Sequence, residues 1–142
     1  MAFVKLIRKQ DAKENSMASP FIEHVNLTVR DPERSARMME ELFGWHVRWQ
    51  GPARDGGRSV HVGSDHAYLA LYTSGIEDGS PEVYPKGRPL NHVGVQVDDL
   101  EETERRVISL GFDPFNHDDY EPGRRFYFFD ADGIEFEIVS YG

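Results

Sequence analysis

The 142 residues carry 25 acidic against 16 basic side chains, a formal charge of −9 at pH 7, and no cysteine. The acidic surplus repels a phosphate backbone, which sets nucleic acid aside as a partner. Without thiols there are no disulfides, thiolate metal sites or cysteine nucleophiles, and histidine and carboxylates are left as the metal ligands.

Residues 1–19 are polar after the first few positions and read as a flexible extension, although "AFVKLI" would also serve as an edge strand or subunit contact. The first apolar run breaks at Lys5, too early for a signal peptide, and no stretch approaches the roughly 18 apolar residues of a membrane span. A cytoplasmic protein with no membrane partner is expected. Hydrophobic content of 39%, with nine Phe, six Tyr and two Trp, suits a single domain over residues 20–142.

The first strand is "FIEHVNLTV". Its alternation sets Val25, Leu27 and Val29 on one face and His24, Asn26 and Thr28 on the other. A helix follows in "DPERSARMMEELFGW", with Asp31 as N-cap, Pro32 at the first turn, Gly44 as the stop, and Ala36, Met39, Leu42 and Phe43 as the buried stripe. Three short strands, "WHVRWQ", "RSVHVG" and "AYLALY", complete a β-α-β-β-β unit over about 21–72. The Gly/Pro-rich segment from Thr73 to Pro89 reads as a linker.

The second unit, about 90–141, repeats the order. "LNHVGVQV" places Val93, Val95 and Val97 opposite His92, Gly94 and Gln96. "DLEETERRVISLG" is a helix with Asp99 as N-cap, Glu102 as its capping-box partner and Gly111 as the stop. Strands are expected around "FDPFN", "RRFYFFD" and "EFEIVS". His24 and His92 stand 68 residues apart, and "GSDHAYLALY" superimposes on "DADGIEFEIV" at an offset of 67. This is an internal duplication. An α+β fold follows, in which two tandem β-α-β-β-β units share a curved mixed sheet with the helices on its outer side.

The polar faces are then expected to converge inside a cup. His24 and His92 head equivalent strands, and in "IEFEIV" the apolar residues Ile134, Phe136 and Ile138 leave Glu135 and Glu137 on the other face. Glu137 lies deeper in the strand and is the better third ligand, while its counterpart in the first unit is Ala70. Two imidazoles and one carboxylate on one side of a cation leave the other side open to substrate, an arrangement suited to Fe, Mn, Ni or Zn.

These paired units, the strand-heading histidines and the ending "FYFFDADGIEFEIV" resemble the vicinal oxygen chelate superfamily, the group of glyoxalases, bleomycin-resistance proteins and extradiol dioxygenases, over about residues 21–141. The family's "DPDG" turn appears as "DADG". The resemblance places the metal ligands at His24, His92 and Glu137. It also implies a homodimer in which His24 of one chain meets His92 and Glu137 of the other. Ala70 stands where glyoxalase I members carry a second carboxylate, so the resemblance favours three-ligand dioxygenase- or lyase-type members over glyoxalase I proper.

Around that centre, Arg125 and Tyr127 share a face of "RRFYFFD", where Arg125 would neutralise an anionic substrate group and Tyr127 would hydrogen-bond a reacting oxygen; both readings stand beside that of surface Arg and core-edge Tyr. Tyr68 shares the face of Ala70. "NHDDYEPG" reads as a solvated loop or lid, His61 and His66 as residues flanking a turn, and His46 as part of an amphipathic strand. The expected activity is that of a metal-dependent enzyme whose small substrate binds the metal through neighbouring oxygens. The alternative is a metal-free protein that sequesters a small aromatic ligand.

Overall fold

A computed structural model describes residues 20–53, 56–74, 86–87, 89–120 and 123–142. The 1–19 extension and most of the 73–89 linker therefore lie outside the described residues.

The first unit comprises β1 (His24–Thr28), α1 (Pro32–Phe43), β2 (His46–Pro52), β3 (Arg58–Gly63) and β4 (Tyr68–Thr73). The second comprises β5 (Val93–Gln96), α2 (Leu100–Ser109), β6 (Phe115–Tyr120), β7 (Gly123–Phe129) and β8 (Glu135–Ser140). Each unit hydrogen-bonds into its own four-stranded sheet, β1-β4-β3-β2 and β5-β8-β7-β6. In both, the first strand runs parallel to the last and the remaining pairs are antiparallel. The α+β class and the paired units are as expected, but the ladder is not continuous between them.

Local chemistry explains the helix ends. The Asp31 carboxylate accepts from the Arg34 N–H, and Gly44 closes α1 at a φ of 70°, in the left-handed region that glycine enters without strain. Asp99 likewise caps α2 by accepting from the Glu102 N–H. The capping box is not completed, because the Glu102 carboxylate accepts from Arg105 and Arg106. Charged groups one turn away win it from a single backbone N–H.

One face of each sheet packs on its helix. Leu27, Val29, Val60, Val62, Leu69 and Leu71 are buried in the first unit, and Val95, Phe126, Phe128, Phe136 and Ile138 in the second. Both sets join one core, with the ring of Phe43 on α1 standing 6.2 Å from that of Phe136 on β8. A polar latch reinforces this junction. Asp132, buried in the "DADG" turn, accepts from Arg30 through both its backbone N–H and its Nε, and faces Ser35 and Arg34 of α1.

One strand is displaced from its expected place. β6 begins at Phe115 and runs to Tyr120, so most of "NHDDYEPG" is strand rather than loop. Across the ladder, Asp118 and Asp119 are in register with the oppositely charged Arg125 and Arg124. A bulge between Phe115 and Asp118, with Asn116 at a φ of 53°, resets the register.

Candidate metal centre

Because side chains alternate across a strand, burying the valines of β5 and the isoleucine and phenylalanine of β8 turns the intervening residues to the opposite face. Gly94 pairs with Glu137 in the parallel β5–β8 ladder, and Tyr127 pairs with Glu137 across β7. His92 lies one residue ahead of β5, where its ring reaches over this face.

The result is a compact pair. His92 Nε2 stands 3.0 Å from Glu137 Oε1. Two ligand atoms each about 2.1 Å from one ion, at a right angle, are separated by about 3.0 Å. The spacing therefore fits adjacent ligands of a single cation, and imidazole nitrogen with carboxylate oxygen suits divalent Fe, Mn, Ni or Zn. The second oxygen of Glu137 accepts from Arg125 Nη1 at 2.8 Å. Both partners are largely sheltered, with side-chain exposures of 12% for Arg125 and 15% for Glu137, so the carboxylate is held in one orientation. Arg125 thus engages the candidate ligand itself, a contact that face-sharing in the sequence did not reveal. Tyr127 lies on the same face, its ring edge-on to His92 at 6.1 Å.

Glu135 is the buried neighbour of Glu137 on β8 and is paired with Lys86. That pairing uses its charge locally.

His24 opens β1 on the corresponding face of the first sheet. Its ring stacks on Tyr68 at 4.9 Å, with a 15° interplanar angle. Tyr68 also stacks on His61 at 4.7 Å, and Trp49 tilts against His61 at 5.0 Å. The Arg48 guanidinium lies over Tyr68, 4.5 Å from the ring centre. Together these make an aromatic shelf leading to His24. His61 is the residue that reading the turn missed. It faces Ala70 across β3–β4, just as Tyr127 faces Glu137 across β7–β8. The signal was available in the alternation of "RSVHVG", which sets His61 opposite the buried Val60 and Val62. Burial pulls its imidazole below the usual histidine value, assisted by the nearby charges of His24 and Arg48.

Within one chain the polar faces do not converge on one point. Among the described residues no three His, Cys, Asp or Glu side chains group to hold a metal, so His24 does not join His92 and Glu137. The units meet through α1, α2 and the core, which leaves the two polar faces apart from one another.

The family model described as Glyoxalase/Bleomycin resistance protein/Dioxygenase superfamily matches residues 21–138. A "Probable trivalent organoarsenical cleaving enzyme" from Bacillus subtilis (strain 168) is 32% identical over 125 residues, covering 81% of this chain and 76% of its own. A glyoxylase/bleomycin resistance protein/dioxygenase domain from Frankia sp. EAN1pec superimposes with a TM-score of 0.73 at 25% identity, covering 87% and 99% of the two chains. The fosfomycin resistance protein FosX from Listeria monocytogenes, complexed with Mn(II) and sulfate, gives 0.67 at 16% identity, over 86% and 93%. That last likeness concerns the fold alone.

Proposed function

This chain belongs to the Glyoxalase/Bleomycin resistance protein/Dioxygenase superfamily, and on that premise we propose that it is a divalent-metal-dependent enzyme of dioxygenase or lyase type. Its substrate is a small molecule that binds the metal through neighbouring oxygens. His24, His92 and Glu137 are the ligands, with His24 supplied by one chain of a homodimer and the other two by its partner. The observation that carries this reading is the 3.0 Å separation of His92 Nε2 and Glu137 Oε1.

The metal, when bound, supplies a Lewis acid that stabilises negative charge developing on the substrate oxygens. The chain's own residues do the rest. Glu137 is oriented by Arg125, which donates from Nη1 to its Oε2, and the guanidinium charge would neutralise an anionic substrate group beside it. Tyr127 presents its hydroxyl to a reacting oxygen beside His92. Ala70 places no carboxylate at the position that matches Glu137, which counts against glyoxalase I chemistry. A trivalent arsenical is a soft centre that favours thiolates, and these 142 residues contain none, so an oxygen chelator is the better substrate.

The test is metal content of protein purified without a histidine tag, beside His92→Ala. Stoichiometric Fe, Mn, Ni or Zn that disappears in the variant supports the reading. A parent protein that takes up no divalent ion at micromolar concentration overturns it. The exposed Trp49 at the end of the aromatic shelf favours one second reading, metal-free sequestration of an aromatic ligand. That reading predicts tight aromatic binding indifferent to chelators.

A further inference from the structure

We propose that Glu23 and Asn91, the residues immediately before the two histidines, are matched positioning residues that present Nε2 of His24 and of His92 as the metal-binding atoms. The proposal rests on the site reading given above.

The geometry is repeated. Glu23 Oε1 lies 3.0 Å from His24 Nδ1, and Asn91 Oδ1 lies 2.8 Å from His92 Nδ1. Successive side chains of an extended segment point to opposite faces, so neighbours meet only when one turns back toward the other. Both meetings occur just ahead of the regular ladder, since Glu23 precedes β1 and Asn91 precedes β5. The same relation therefore arises twice, through a carboxylate in one unit and an amide in the other. What the two side chains share is an oxygen acceptor aimed at Nδ1.

The consequence follows from the imidazole. A neutral ring has one N–H; donating it from Nδ1 leaves the lone pair on Nε2. For His92 that nitrogen is the atom facing Glu137 Oε1 at 3.0 Å. For His24 the ring is held further by the Tyr68 stack, and the Tyr68 hydroxyl reaches the same Glu23 oxygen at 3.5 Å. An acceptor behind a ligating histidine fixes its tautomer and raises its donor strength, more so when the acceptor is charged. Glu23 accordingly contributes more to metal binding than Asn91 does.

Long-range proton–nitrogen spectra of metal-free, ¹⁵N-labelled protein at pH 8 read which ring nitrogen carries the proton, at His24 in the parent and at His92 in a Glu137→Ala background, where no carboxylate competes for the ring proton at Nε2. The expected result is Nδ1–H on both His24 and His92. Glu23→Ala and Asn91→Ala each lose that preference at their own histidine, while Glu23→Gln and Asn91→Asp, which keep an acceptor oxygen, retain it. In zinc titrations the alanine variants weaken binding by about 10–100-fold, Glu23→Ala the more, and the conservative variants restore it. Thermal unfolding of each variant identifies any general loss of structure. An Nε2–H tautomer at His24 of the parent or at His92 in the Glu137→Ala background, or tautomers unmoved in the alanine variants, overturns the proposal. If the parent binds no zinc, the metal-site reading fails while the tautomer spectra still decide the positioning of the rings.

Discussion

His92 Nε2 and Glu137 Oε1 lie 3.0 Å apart, and the other Glu137 oxygen is held by Arg125 at 2.8 Å. With its second oxygen satisfied by the guanidinium, Glu137 would offer one oxygen to an ion shared with His92.

Arg125→Met keeps most of the apolar stem and removes that guanidinium. Divalent metal binding is expected to weaken by about tenfold or more, read by isothermal titration, because Glu137 loses the partner that orients it. Unchanged affinity would return Arg125 to a purely substrate-facing role.

Asp132→Ala removes the acceptor shared by Arg30, Ser35 and Arg34 at the junction of the two units. Arg30 is nearly half exposed and recovers hydration, but Arg34 Nε and Nη2 are buried and Nη2 loses the carboxylate it faces, so the expected loss is about 3 kcal/mol. Urea unfolding measures it.

Asp130 behaves differently. Burial pushes its carboxyl up to about 6, against the pull of the Ile134 and Asp132 N–H groups and of Arg34, with the charge of Asp132 adding to the rise. Its ordinary value is 3.8, so between about pH 4 and 6 the folded chain binds more protons than the unfolded one. Stability from this group therefore falls as pH rises through that window, by an amount on the order of 3 kcal/mol once both states are ionised. Asp130→Asn keeps an acceptor for both N–H groups. It is expected to be at least as stable as the parent at pH 8 and to lose the slope between pH 4 and 6, as followed by denaturant midpoints.

His61 gives an optical readout. Its ring lies 5.0 Å from Trp49, and a protonated imidazole quenches indole emission. Acid quenching is expected to have its midpoint below the ordinary 6.5, in the direction burial sets, and to vanish in His61→Gln. Metal affinity of that variant should stay within about twofold of the parent, because the Tyr68 ring lies between His61 and His24 and leaves His61 out of the ligand set.

The elements most legible in the sequence were those specified by local chemistry. Asp31, Pro32 and Gly44 bound α1 where their types require, and β3 spans the residues its valine alternation marks. The duplication made the approach of His92 to Glu137 readable, since matching offsets identify matching strand positions. β6 was expected too early, around "FDPFN", because "NHDDY" has no apolar alternation and its acidic residues face arginines on another strand. The role of Arg125 was hidden for a related reason: sharing a face does not say which neighbour a guanidinium meets. Glu102 failed as a capping partner because Arg105 and Arg106 are nearer one-turn competitors. Whether the two polar faces converge depends on how whole units dock, a relation that strand periodicity does not encode.

The central claim, a metal site built from His24 of one chain and His92 with Glu137 of the next, is tested most directly by complementation. His24→Ala and His92→Ala proteins are each purified, shown to bind no divalent ion, then mixed, unfolded together and refolded. A site shared between chains predicts that metal binding returns in the mixture, because each mixed dimer regains one intact set of ligands. A mixture that stays metal-free, while the parent carried through the same cycle recovers one ion per chain, would contradict the shared site.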